Sequence, residues 1–244
     1  MTIKFGEVIS PEIHARVTGV MELLSRQPVP GLVECVPAYA ALTVYYDPVQ
    51  LWKEETKRLR LGYGLQSSAT PSSLIERSPC QIITEDLQKL LGSADIAVSS
   101  TPEVIHIPVC YGGEYGEDLD AVAARNGLTS EEVIAIHSSA AYTVYMLGFA
   151  PGFPYLGGMP RAIAAPRKAS PRPYIPAGSV GIAGEQTGIY PLATPGGWQL
   201  IGRTPLALFL PEQSPPARLR AGQIVKFVPI SPEEYEQWEE AACT

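Results

Sequence analysis

The stretch Gly148-Phe149-Ala150-Pro151-Gly152-Phe153-Pro154-Tyr155-Leu156-Gly157-Gly158 decides the fold of the C-terminal half of this chain. Glycine or proline interrupts it every few residues, which no helix tolerates, and the residues between are aromatic and aliphatic in the manner of short strands. The texture continues: residues 148–202 hold 11 of the 22 glycines, many prolines, and only short apolar runs, such as Ser179-Val180-Gly181-Ile182 and Trp198-Gln199-Leu200-Ile201. Short strands separated by tight turns predict a compact β-barrel.

Helical signals flank the glycine-rich region. Residues 117–125 read as a short helix closed by Asn126-Gly127, and Thr129-Ser130-Glu131-Glu132 is a capping box that starts a second helix ending near His137. Downstream, Ser231-Pro232-Glu233-Glu234 is another capping box, opening a last helix that runs through Trp238.

Upstream, the periods change. Ser10-Pro11 has the cap-then-proline order of a helix start, and Ile13, Val17, Val20 and Leu24 fall on one face of about four turns. On that helix His14 falls on the exposed side. Residues 3–8, 31–37 and 41–47 read as strands, residues 82–91 as a helix and residues 104–109 as a further strand. The resulting order, βαββαβ, is that of a ferredoxin-like domain. The expectation is an α+β protein with a ferredoxin-like domain over residues 1–107 and a barrel domain with a C-terminal helix over residues 108–244. Residues 49–79 read as an insertion into the first domain: a helical piece, then a surface segment containing Ser67-Ser68-Ala69-Thr70-Pro71-Ser72-Ser73.

With 244 residues, 45% apolar and 18% charged, the composition is that of a globular protein with room for a sizeable core. The four cysteines, Cys35, Cys80, Cys110 and Cys243, form no CxxC pair, so neither a disulfide framework nor a zinc site is indicated. A net charge of −7 repels a phosphate backbone and argues against nucleic acid as the main partner. The N-terminus lacks a signal peptide, and no apolar run reaches membrane-spanning length, which predicts a cytoplasmic location.

Chemistry is concentrated around the barrel. A loop stiffened by proline and lined by Phe149, Phe153 and Tyr155 can stand preformed as a binding wall, or its rings can fill the core as an ordinary barrel corner. Residues 148–202 carry four cations, Arg161, Arg167, Lys168 and Arg172, against one acid, Glu185, so a carboxylate or phosphate is the natural ligand. His137, beside the aromatic loop in sequence, is a possible acid, base or oxyanion partner. GxGxxG, GxxxxGK[ST], GxSxG and HExxH are all absent. The run Gly178-Ser179-Val180-Gly181-Ile182-Ala183-Gly184 has neither the spacing nor the lysine of a phosphate loop.

The specific strings are Ile107-Pro108-Val109, Tyr111-Gly112-Gly113, Asp118-Leu119, Tyr142-Thr143-Val144, the aromatic loop, Pro171-Arg172, Pro176-Ala177-Gly178-Ser179-Val180, Gly188-Ile189-Tyr190 and Pro195-Gly196-Gly197-Trp198-Gln199-Leu200-Ile201-Gly202-Arg203-Thr204. Over about residues 31–229 they resemble the family that comprises the B-type subunit of 5-oxoprolinase, the Kip-type kinase inhibitors and allophanate hydrolase subunit 1. The resemblance implies a ferredoxin-like domain followed by a cyclophilin-like barrel. It also implies a hetero-oligomer with a homologous cyclophilin-like subunit of the KipA type and a LamB/YcsF-type subunit, in which 5-oxoproline is opened to glutamate at the expense of ATP, with Mg2+. Other branches inhibit a sensor histidine kinase or form the carboxyltransferase part of urea carboxylases. Carried onto this sequence, His137 and Arg172 take catalytic roles, and Phe149, Gly152, Phe153, Tyr155 and Gln186 line the substrate site. Phosphorylation of the amide oxygen would require cations, a role for Arg172.

Overall fold

The computed structural model describes residues 1–63, 77–93 and 102–242, and the chain divides into two compact units, Met1–Ser100 and Thr101–Thr244. In the first unit β1 (Thr2–Lys4), β2 (Leu32–Pro37) and β3 (Ala41–Tyr46) form an antiparallel sheet in the order β1-β3-β2. Helix α1 (Pro11–Arg26) begins where the sequence places it, with the Ser10 hydroxyl accepting from the Ile13 N–H at 3.2 Å. Its buried stripe Val17, Val20 and Leu24 joins Leu42 and Val44 of β3, Leu51 of α2 (Pro48–Tyr63) and Ile82, Ile83 and Leu87 of α3 (Pro79–Ser93) in one core. His14 is buried with that stripe rather than exposed, because the packed arc of α1 is wider than the four aliphatic positions alone suggest.

Residues 49–79 are therefore not wholly a surface insertion. Their first part is α2, which contributes Leu51 to the core and the buried Glu55, whose carboxylate is met by Arg77 ahead of α3. The serine-rich piece at residues 67–73 lies outside the described residues.

The second unit starts with β4 (Val104–Tyr111) and continues through α4 (Leu119–Asn126), α5 (Ser130–Ser139), β5 (Tyr142–Leu147), β6 (Pro154–Gly157), a 3-10 turn (Arg161–Ile163), β7 (Arg172–Ile175), β8 (Ser179–Ala183), β9 (Gln186–Ile189), β10 (Thr194–Gly196), β11 (Gln199–Arg203), β12 (Ile224–Ile230) and α6 (Pro232–Ala242). Seven strands close a barrel in the order β11-β4-β12-β5-β6-β9-β8, while β7 and β10 pair as a separate two-stranded ribbon. The barrel is consistent with the expected cyclophilin-like architecture. Both predicted capping boxes form, Thr129 with Glu132 and Ser231 with Glu234, and Gly127 ends α4 with φ of 66°.

The strand at residues 104–111 overturns the expected partition. A ferredoxin-like domain needs it as its fourth strand, yet it pairs in parallel with β12 from Val104↔Ile224 to Cys110↔Ile230, and also pairs with β11. Ile107, Val109 and Cys110 are buried in the barrel, so the division falls between Ser100 and Thr101, and among the described residues the first sheet has three strands. Hydrophobic alternation marks a strand but not its partner, which here lies more than a hundred residues downstream.

This partition is checked by truncation. A fragment beginning at Thr101 retains all of β4 and is expected to melt cooperatively by circular dichroism. One beginning at Pro108 loses half of an eight-residue strand, including fully buried Ile107, and is expected to lose that transition.

Candidate functional site

Phe153 is the centre of a ring cluster at one end of the barrel. It is 2% exposed and meets four aromatic neighbours edge-on: Phe149 at 5.4 Å, Tyr155 at 5.2 Å, Tyr190 at 5.5 Å and Trp198 at 5.6 Å between centroids. Such perpendicular packing places positive ring edges on negative faces. Room for it comes from two glycines on adjacent strands. A Cβ on Gly188 would lie 3.0 Å from the Phe153 ring and 3.1 Å from Trp198, and one on Gly181 would lie 3.0 Å from the Trp198 Cβ.

The rings do not close the barrel end. Phe149, Phe153, Tyr155, Tyr190 and Trp198, together with Arg167, Pro171, Pro195, Gly196 and Gly197, line a cleft of about 370 Å³. This is the volume of a small-molecule site, with mostly apolar walls and a single charged side chain. Both readings of the aromatic loop thus hold at once: Phe153 and Trp198 are core, and their outer surfaces are cleft wall.

The cleft's far wall is the β7–β10 ribbon and the loop before it, and one carboxylate fixes both. Asp118, just ahead of α4, is 5% exposed; its Oδ1 accepts from Arg172 and from Lys168 Nζ, each at 2.8 Å, and its Oδ2 accepts from the Leu200 N–H at 2.7 Å. Its own N–H donates to the Leu200 carbonyl at 2.8 Å. Burial alone would raise the Asp118 pKa, but hydrogen bonds from Arg172, Lys168 and the Leu200 N–H hold it below the usual carboxylate range. Arg172 also reaches Glu117 at 3.3 Å and the Trp198 carbonyl at 3.4 Å.

Arg172, for which a catalytic role is expected, is hydrogen-bonded into the wall and is not among the residues lining this cleft. The cation that does line it is Arg167, which is exposed and, among the described residues, has no hydrogen-bonded acid. Lys168 and Arg172 are matched by Asp118 and Glu117, so Arg167 leaves an excess of one positive charge beside the cleft.

His137 is also placed differently from the expectation. It is fully buried, stacked on Phe227 at 4.5 Å, with Nδ1 2.8 Å from the Tyr111 hydroxyl and Nε2 3.0 Å from Thr187 Oγ1. The Thr187 proton goes to the Gly181 carbonyl at 3.1 Å, so Thr187 accepts from Nε2–H and Nδ1 accepts from Tyr111. The ring is a neutral, fully satisfied core group with no face on the cleft, and desolvation lowers its pKa to about 3.

Of the other expected site residues, Phe149, Phe153 and Tyr155 line the cleft. Gly152 shapes the loop from beneath with φ of 80°, and Gln186 sits at the β8–β9 hairpin away from it. Sequence reasoning missed Tyr190, Trp198 and Arg167 as wall residues. The first two stand within the strings that carry the family resemblance and the third within the counted cations, but nothing linear shows that they meet.

The buried histidine gives the unit a pH dependence. The unfolded chain takes a proton near pH 6.5 and the folded one only near pH 3, so folding stability contributed by neutral His137 is present above 6.5 and lost as pH falls through that window. The loss is about 1.4 kcal/mol per pH unit. Unfolding titrations between pH 7 and pH 4 are expected to show this slope in wild type and a shallower one in His137→Gln.

The comparisons with known proteins agree with this architecture. Residues 1–219 match the family described as carboxyltransferase domain, subdomain C and D. The B-type subunit of 5-oxoprolinase from Bacillus subtilis (strain 168) is 50% identical over 240 residues, covering 98% of this chain and 93% of that protein. Among solved structures, TTHA0988 superposes with a TM-score of 0.71 at 38% identity over 95% of this chain, which spans only 40% of TTHA0988. The conserved uncharacterized protein PH0987 from Pyrococcus horikoshii shares 42% identity, with 96% of this chain and 95% of that one covered and a TM-score of 0.54. Identity of this extent over nearly full length makes the chain a member of the family of B-type 5-oxoprolinase subunits, built on carboxyltransferase subdomains C and D.

Proposed function

We propose that the chain is the B-type subunit of an ATP-dependent 5-oxoprolinase, and that its cleft provides one wall of the site where 5-oxoproline is held for lactam opening to glutamate. The observation that carries this reading is the pairing, in one cleft of about 370 Å³, of aromatic walls with an arginine that, among the described residues, has no hydrogen-bonded acid. 5-Oxoproline is a small, flat, five-membered ring bearing a carboxylate. The ring suits Tyr190, Trp198 and Phe153, and the carboxylate suits a bidentate guanidinium.

The remaining parts of the reaction belong to partner subunits in this reading: a homologous cyclophilin-like subunit and a LamB/YcsF-type subunit in a cytoplasmic hetero-oligomer. The length of TTHA0988 beyond the part this chain matches supports a working unit larger than this chain. ATP, with Mg2+ on its phosphates, is assigned to a partner, because the glycine-rich stretch at residues 178–184 is built around strand β8 and not a phosphate loop. Its backbone is committed to pairing with both β9 and β11. When bound there, ATP would supply the phosphoryl group that activates the amide oxygen for attack by water on the ring carbonyl, which breaks the C–N bond; this chain orients the substrate. The first unit, in the same reading, is a ferredoxin-like domain, of which three strands and three helices lie among the described residues.

The test is ATP-dependent glutamate release from 5-oxoproline by the three mixed subunits. Wild type is expected to turn over. Arg167→Ala is expected to raise KM for 5-oxoproline by roughly tenfold to a hundredfold, the worth of a charge-assisted hydrogen bond, with kcat little changed. The uncharged lactam 2-pyrrolidinone is expected to be handled equally by both. An unaltered KM in Arg167→Ala contradicts the placement of the carboxylate, and an inactive wild-type mixture contradicts the function.

A further inference from the structure

Two side chains on the outer face of the barrel carry hydrogen-bond donors that no protein acceptor fills. Ser179 of β8 is 1% exposed, and its Oγ has no hydrogen-bond partner among the described residues. Arg203 of β11 has a buried Nε in the same condition. Strand pairing brings the two together: Arg203 lies directly opposite Ser179, as Gly202 lies opposite Val180. Val180 belongs to the barrel core, and a Cβ on Gly202 would meet the core residue Val109 at 2.7 Å, so that pair faces inward. Side chains alternate along a strand, so Ser179 and Arg203 face outward side by side, with β-carbons about 5 Å apart.

The arginine is held in place without being satisfied. Its guanidinium carbon lies 5.7 Å from the centre of the Tyr115 ring, which packs in turn on Tyr235 of α6 at 4.6 Å. Nη2 donates to the Glu114 carbonyl at 3.4 Å, a long hydrogen bond. Burial first, then the charges of Glu233 and Glu114, push up the thiol of Cys110, which lies opposite Arg203 on β4. Those two carboxylates are therefore close by, yet among the described residues neither forms an ion pair with the guanidinium.

A buried donor left unpaired is costly, and two of them side by side, one cationic, point to an anion. We infer that Ser179 and Arg203 form a carboxylate-binding site on the outer face of the barrel. Nε–H and the Nη2–H beside it are the parallel fork that grips both oxygens of a carboxylate, and the Ser179 hydroxyl gives one of those oxygens a second donor. The acids nearby weaken binding without blocking it. The aromatic cleft is lined by neither residue, so this site stands or falls independently of the 5-oxoproline reading.

Formate, a carboxylate with nothing else attached, is the probe. The chain carries Arg167→Ala throughout, so that the cleft's arginine takes no part, and chloride and inorganic phosphate are run beside formate at equal ionic strength. An ion that binds only the folded chain raises its melting temperature by mass action. Formate is expected to raise it saturably by about 2–4 °C. Arg203→Lys keeps the charge and loses the fork, and is expected to abolish the rise. Ser179→Ala is expected to need roughly tenfold more formate for the same rise. Without formate, Ser179→Ala is expected to melt no lower than its parent, because the hydroxyl it removes has no protein partner.

A melting temperature that none of the three anions changes saturably overturns the inference. Saturation by chloride or phosphate at lower concentration than formate overturns the carboxylate assignment. An undiminished formate response in either variant places the ion elsewhere, and a lower melting temperature of Ser179→Ala without formate gives the hydroxyl a protein partner; each result overturns the inference. Should Arg203→Lys fail to fold, Ser179→Ala decides alone.

Discussion

A single buried carboxylate organises the cleft end of the barrel. Asp118 binds two cations and one backbone N–H, and each of the three comes from a different piece of wall: Lys168 from the loop ahead of the ribbon, Arg172 from the ribbon's first strand, and Leu200 from β11 next to Trp198. A carboxylate buried to this degree is stable only if its acceptors are filled, and cations this close keep it ionised. Loss of either cation would leave a buried charge undercompensated, a defect worth several kcal/mol in comparable sites. The geometry of the aromatic cleft is therefore tied to a charge that itself never faces the cleft.

The two readings offered by the loop at residues 148–158 turn out to describe its two ends. Phe153 is core, and the small residues Gly181 and Gly188 let it and Trp198 sink between the strands. Phe149, four residues earlier, is surface. The cleft wall thus grades from the packed ring of Phe153 to the exposed ring of Phe149. His137 and Tyr111 serve the same rigidity from inside, since their hydrogen-bond chain through Thr187 to the Gly181 carbonyl ties α5 and β4 to the β8–β9 hairpin on which the cleft's glycines lie.

Local features were legible in the sequence wherever their physics is local. The cap at Ser10, the capping boxes at Thr129 and Ser231, the αL end at Gly127 and the barrel texture of residues 148–202 all follow from neighbouring residues. What depended on long-range pairing was not legible. Residues 104–111 read as a strand but not as one whose parallel partner is β12, and this error displaced the domain boundary. The site shows the same division. Phe149, Phe153 and Tyr155 were found from the loop that contains them, whereas the places of Tyr190 and Trp198 and the roles of His137, Arg172 and Arg167 depend on who faces whom across the barrel. Histidine and arginine look alike in sequence whether they are buried, paired or free, and only Tyr111, Asp118 and the cleft itself tell them apart.

The central claim is that the aromatic wall receives the substrate, and Trp198 is placed to report it directly. With Trp52 and Trp238, both about half exposed, replaced by phenylalanine, Trp198 becomes the sole tryptophan of the chain. Its emission in the assembled complex can then be followed, against the same complex carrying Trp198→Phe as blank, as 5-oxoproline is added. The predicted result is a saturable change that Arg167→Ala shifts to higher concentration. An emission that stays constant through concentrations supporting full turnover would contradict the claim.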